Sequence, residues 1–459
     1  MINRRRFMVG SGSLAAAAAL SSANAEEGKP VEPAAPIKTR MFWTWDHSTE
    51  WALNRPGAQT MGALNPYFRD RAAFEADYSK LLEWCGEHHI DAVVIWGLLR
   101  DVHGGVDAAK KLCDVAGRHN VRILCGVGLC AYGGVFYEGN SPWSMAKHLA
   151  AHPELYALSE NGGQMRSNYH ACPSKKENQD YVAEALHWLL KTLPLGGVQM
   201  ETGDTGVCHC AQCRARRKYD VDVLSWEDMA LMYPLATEAI RSVSPDAMVV
   251  CETYTNPEPH PDPKKQGGFG TRRPGWADEC LERFPKKVYV QWVCDQLVRP
   301  NAGKWTKAGS VSSQDRHNVM RAHFSTYWMG RRRGELATDS IAEMVQKSIT
   351  ANFDAISLFG EVSRVCAGPE LNYLALENFG SAANPKAELD LFLDQVAAPL
   401  LGGPRQARQY LNYARLLDAD RGQIPNALKE IYAQCALYPP PISHRWAWLG
   451  EYLNSFVAE

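Results

Sequence analysis

Beyond its first 25 residues the chain has no apolar run of the ~20 residues that a bilayer-spanning helix needs. Charge of one sign is not in excess: 49 Lys and Arg stand against 51 Asp and Glu, a net of -2 that gives no electrostatic footing for nucleic acid. No Gly-x-Gly-x-x-Gly follows the first strand-like segment, so the dinucleotide-binding fingerprint is missing. An even cysteine count is missing as well, and 13 cysteines cannot all pair within one chain. There is no internal repeat and, outside the first residues, no low-complexity tract. Tryptophan, by contrast, is plentiful at 14 residues, either filling a large core or offering flat platforms for the C–H faces of sugar rings.

The first 39 residues read as an address. Arg4-Arg5-Arg6-Phe7 has the twin-arginine pattern, a weakly apolar run follows to Leu20, and Ala23-Asn24-Ala25 is a small-residue cleavage site. Residues 1–25 are expected to be removed, leaving 26–39 as a proline-stiffened leader and a periplasmic or secreted protein with no membrane attachment. Twin-arginine export carries folded proteins, so a metal can be loaded under reducing conditions first.

From Arg40 strand and helix alternate. Eight short apolar segments read as strands: 40–47, 91–98, 121–129, 197–201, 247–254, 287–294, 319–328 and 354–360. All but the sixth are followed by a clear amphipathic helix. Buried apolar strands in βα units predict an α/β fold, a (β/α)8 TIM barrel over 40–384. From Pro385 the strand signal stops, and four helical segments predict a helical C-terminal subdomain over 385–459.

In such a barrel the carboxyl ends of the strands face one pocket. They supply Trp43, Trp45 and Asp46 from the first strand and Trp96 from the second. The fourth supplies Glu201 and Asp204, the fifth Glu252 and Tyr254, the sixth Trp292 and Asp295. Tyr327 and Trp328 come from the seventh and Glu361 from the eighth. Aromatics holding several acids suit a sugar ring, and glycoside cleavage needs two carboxyl groups flanking the scissile bond. Glu201 is the first choice for the acid/base, with Glu361 and then Glu252 as partner; any of them can instead be a structural ion pair at the rim. Arg331-Arg332-Arg333 follows the seventh strand, either as solvated charge or as a receptor for an acidic glycan.

Directly after Glu201 comes Cys208-x-Cys210-x-x-Cys213, a zinc pattern short of its fourth ligand. Cys172 is the best candidate for that place, with His170 and His209 in reserve; a disulfide is the alternative, and it would leave one thiol over. The remaining isolated cysteines, such as Cys113, Cys125, Cys251, Cys280 and Cys294, sit in apolar segments as small buried hydrophobes.

A strand-end Glu followed by this cysteine knot, with one more cysteine a few dozen residues upstream, resembles the zinc-bearing β-galactosidases of glycoside hydrolase family 42. The resemblance covers mainly Cys172 to Arg214. It implies a barrel glycosidase in which Glu201 is the acid/base and Cys172, Cys208, Cys210 and Cys213 hold a structural zinc. Two features depart from that family: Met200 precedes Glu201 where the family has Asn, and 324–328 carries no acid where the family has its nucleophile. The expectation is an exported enzyme, a glycosidase cleaving an oligo- or polysaccharide by a two-carboxylate mechanism. The alternative is a non-catalytic sugar-binding barrel of a polysaccharide uptake system.

Overall fold

The computed structural model describes residues 36–52, 70–262, 272–293 and 315–457. The expected signal and leader, and Asp295 and Cys294, lie outside the described residues. Eight parallel strands close a barrel: β1 (Thr39–Trp45), β2 (Ala92–Trp96), β3 (Arg122–Gly128), β4 (Gly197–Glu201), β5 (Met248–Glu252), β6 (Tyr289–Val293), β7 (His317–Ala322) and β8 (Ala355–Phe359). Each pairs with its sequence neighbours, and β1 closes the ring on β8, with Trp43 opposite Phe359.

The strands are buried on both faces, which is why they read as continuous apolar runs. Along β1 the alternation sends Met41, Trp43 and Trp45 into the barrel interior and Phe42 out against the helices. The interior is filled by side chains and leaves no pore. Trp96 lies across it, hydrogen-bonded through Nε1 to Gln199 Oε1 at 2.7 Å. That ring needs Gly126 on β3, where a Cβ would stand 2.6 Å from the indole.

Helices Arg71–Glu87, Gly105–Arg118, Lys176–Thr192, Trp226–Val243, Thr338–Thr350 and Ala367–Gly380 cover the outside. Two carry side-chain N-caps: Asp70 accepts from Ala73 N, and Ser225 from Asp228 N. After Gly380 there are no strands among the described residues, and three longer helices follow, Pro404–Ala419, Ile424–Leu437 and Ile442–Asn454. Trp446 anchors them, fully buried, with its Nε1 on Leu401 O at 3.0 Å. No helix among the described residues is long and apolar enough to cross a membrane.

The seventh strand is shorter than its sequence suggests. It stops at Ala322, Ser325 takes a left-handed φ of 63°, and Tyr327–Gly334 winds into a 3-10 segment. The β-prone aromatics of 324–328 therefore shape a loop at the barrel mouth. A short pairing of Asn256–Pro259 with Arg272–Arg273 was also not anticipated.

Candidate active site

A cavity of about 560 Å3 opens at the carboxyl ends of the strands, within the size range of small-molecule sites. Its lining is a bowl of Trp43, Trp45, Tyr132, Tyr137, Tyr254 and Phe359, with Glu201 and Asp204 as its carboxylates and Arg321 as its buried cation.

Glu201 ends β4 and is 3% exposed. Two residues on, Gly203 adopts a φ of +106°, a turn that brings Asp204 back to the same cavity. No hydrogen bond from a described residue reaches the Glu201 carboxyl. Burial lifts its pKa well above the usual carboxylate range, and the nearby Asp204 and Glu252 add to the lift against the opposing pull of Arg321. Asp204 is raised by burial too, but the Tyr132 hydroxyl, which donates to its Oδ1, Arg321 and His170 hold it back. Both pocket carboxyls are thus lifted by burial, and only Asp204 has a hydrogen bond from a described residue opposing the lift.

Glu252 and Arg321 form a second layer. Glu252 is completely buried and does not line the cavity. Its carboxylate accepts from Tyr254 N at 2.7 Å and from Gln291 Nε2, and pairs with Arg321 at 3.1 Å. The Arg321 guanidinium lies 5.0 Å from the Trp43 ring centre and 5.7 Å from that of Phe359. His323, also on the cavity wall, is kept neutral by burial and by Arg321.

Several strand-end residues sit elsewhere. Glu361 is completely buried outside the cavity lining; its Oε1 accepts from Trp45 N at 3.0 Å, and its backbone carbonyl accepts from Glu50 N, in a network that includes Arg333. The expected Glu201–Glu361 pair is therefore not what the cavity presents. Asp46 lies behind the wall, paired with Arg100 at 2.5 Å. Burial works to raise its pKa, but Arg100, His47 and His103 prevail and hold it low. Trp96 is the floor beneath Trp45, at 5.1 Å between rings. Trp292 faces outward against Trp226, because its position on β6 points to the helices. Trp43, Trp45, Asp204, Tyr254 and Trp328 line the cavity, and the Tyr327 side chain lies outside the described residues. Arg332 pairs with Asp418 and Arg333 with Glu50, which ties both into the fold, and neither lines the cavity.

Tyr132, Tyr137, Asn168, Thr205, Arg321 and Phe359 escaped the sequence reading. Two signals were available. The tyrosine-rich excursion after β3 had no other job, and a lone arginine in the apolar β7 demanded a buried partner.

Beside the cavity, Cys172, Cys208, Cys210 and Cys213 bring their sulfurs within 4.8 Å of one another, and every described cysteine is free of disulfide. The Cys172 sulfur is 3.7 Å from those of Cys210 and Cys213. Such spacing matches the edge, about 3.8 Å, of a tetrahedron with ~2.3 Å metal–sulfur bonds. Leu158 N donates to Cys208 Sγ, and Arg216 Nη2 approaches Cys213 Sγ at 3.5 Å, contacts that suit thiolates. His170 is turned away from the cluster, with Nδ1 on Ser167 O and Nε2 on Thr205.

No protein-family model matches the chain, and no curated protein does. Among solved structures it is similar to the α-amylase from Geobacillus thermoleovorans, at 10% identity over 76% of this chain and 80% of that one, TM-score 0.44. It is similar to CpGH84B at 8% identity over 92% and 66%, TM-score 0.48. The β-mannanase from the blue mussel Mytilus edulis shares 12% identity over 74% and 92%, TM-score 0.40.

Proposed function

We propose that the protein is a glycoside hydrolase. The observation that carries this reading is the Glu201–Asp204 pair: one buried carboxyl that no described residue hydrogen-bonds and whose pKa burial lifts well above the usual range, beside a second that accepts from the Tyr132 hydroxyl, both facing an aromatic bowl. Glu201 passes its proton to the glycosidic oxygen as the C–O bond breaks and is left as the carboxylate; a water then bonds to the anomeric carbon and gives its proton to that carboxylate, which restores the acid. Asp204 faces the positive charge that develops on the sugar, steadied by the Tyr132 hydroxyl. Glu252, fixed by Arg321 and Gln291, serves from behind the wall by adding negative potential at Glu201. Trp43, Trp45 and Tyr254 supply the ring-stacking faces.

The four cysteines hold a structural zinc in this reading: an all-thiolate set closes the coordination sphere and leaves no open position for chemistry. Its role is to brace the loop after β4 against the loop that carries Cys172. The twin-arginine segment directs the folded, metal-loaded protein to the periplasm or beyond.

The test is an activity screen of the purified protein on polysaccharides and 4-nitrophenyl glycosides. Release of reducing ends from a polysaccharide that Glu201→Gln cuts by about 10² or more, with a far smaller loss of nitrophenol release from the aryl glycosides, supports the reading; no turnover on any member, with sugar binding intact, favours the binding-protein alternative.

A further inference from the structure

The cavity is graded in depth. Trp43, Trp45 and Phe359 at its base are 3%, 7% and 1% exposed, while Trp328 on the same lining is 54% exposed. A large aromatic in water at the mouth of an aromatic pocket is the informative exception to apolar burial. It is held there by a built turn: β7 stops at Ala322, Thr326 is fully buried, and its carbonyl accepts from Met329 N at 3.1 Å. The mouth also has a polar lip. Asn168 is exposed, lines the cavity and takes a left-handed φ of 56° without being glycine. Its carbonyl accepts from Tyr132 N at 2.8 Å, and its Nδ2 donates to Thr205 Oγ1 at 3.3 Å, which points the amide along the rim.

Resting on the glycosidase reading, we propose that the cavity continues outward into a second sugar subsite, with Trp328 as its stacking platform and Asn168 as its hydrogen-bonding lip. The substrate is then an oligo- or polysaccharide that places at least one further ring beyond the one buried over Trp43 and Trp45. Binding energy from that remote ring is available to the reacting centre, so short substrates lose turnover as well as affinity. The loop bearing Asn168 ends at Cys172, so the cysteine cluster fixes one end of this lip.

The experiment measures kcat/KM for 4-nitrophenyl monoglycosides and for di- to pentasaccharides of β-1,4-mannan, β-1,4-glucan and α-1,4-glucan. For the active sugar, wild-type kcat/KM is expected to climb with chain length. Trp328→Ala should flatten the climb, so that its loss is about 10- to 100-fold larger on the trisaccharide than on the monoglycoside. Asn168→Ala should act in the same direction by several-fold, and Trp328→Phe should restore most of the climb. Losses independent of chain length, or an unchanged climb in Trp328→Ala, overturn the subsite while leaving the glycosidase reading intact. If the wild type neither hydrolyses nor, by calorimetry, binds any member of the series, the glycosidase reading fails first and the subsite with it.

Discussion

Arg321 on β7 reaches over β6 to Glu252 on β5, a 3.1 Å ion pair in which neither side chain is more than 3% exposed. Gln291, on the strand between, donates to the same carboxylate. One buried guanidinium thereby acts on three acids: it lowers the pKa of Glu201, Asp204 and Glu252 alike, against their burial.

Removing that charge has a definite sign. In Arg321→Met each of these carboxyls is harder to ionise, so both limbs of the kcat/KM pH profile should move to higher pH. Activity should fall most on the acid side of the optimum, where Asp204 holds its proton to higher pH. Arg321→Lys keeps the positive charge and should leave the limbs close to their wild-type positions. Limbs that stay put in Arg321→Met would assign Arg321 to packing alone.

Glu201→Gln separates acid catalysis from binding. Its turnover should drop by about 10² to 10⁴ on substrates with poor leaving groups and far less on activated aryl glycosides, which need little protonation. Equal losses on both classes would remove Glu201 from the acid role.

For the cysteine cluster, elemental analysis of protein purified without chelator should find about one zinc per chain. Cys213→Ser, or extraction of the metal, should lower the melting temperature before it alters turnover on short substrates. Protein that is metal-free and equally stable would contradict the assignment.

Asp46, behind the cavity wall, offers a stability test. Its folded-state pKa is depressed, so its pairing with Arg100 stabilises the fold above the unfolded-state pKa and is lost as pH falls through the folded one. Asp46→Asn leaves Arg100 with Glu138 as its remaining carboxylate partner and should lower stability at neutral pH by about 1–3 kcal/mol. In denaturant titrations the gap to wild type should close below about pH 4.

The barrel was legible because parallel strands buried on both faces leave an apolar signature, as in Ala92–Trp96 and Ala355–Phe359. The cysteine cluster was legible because Cys208, Cys210 and Cys213 are adjacent in sequence, with only Cys172 to be recruited. The direction of each strand-end residue was not. Glu361 and Glu201 look alike in sequence, each an acid after an apolar strand, yet one accepts from the backbone of β1 and the other faces the cavity. That difference depends on neighbouring loops, Arg333 for Glu361 and Tyr132 near Asp204 for Glu201, which no local pattern encodes. The early end of β7 was hidden for the same reason, since Phe324 and Trp328 have strand-like chemistry but follow the end of the strand, Trp328 lining the cavity.

The crowding of indoles at the base of the bowl has an optical consequence. Trp43 and Trp45 stand 5.7 Å apart on the cavity wall, and Trp45 lies 5.1 Å above Trp96. Excitation energy passes readily among rings this close, so light absorbed by the deep indole is emitted in part from those that meet the ligand. A sugar settling over Trp43 and Trp45 displaces water from the emitting faces and should shift and brighten the protein's own fluorescence. The molecule thus carries a built-in reporter, with which unlabelled glycans can be ranked by titration before any reaction is known.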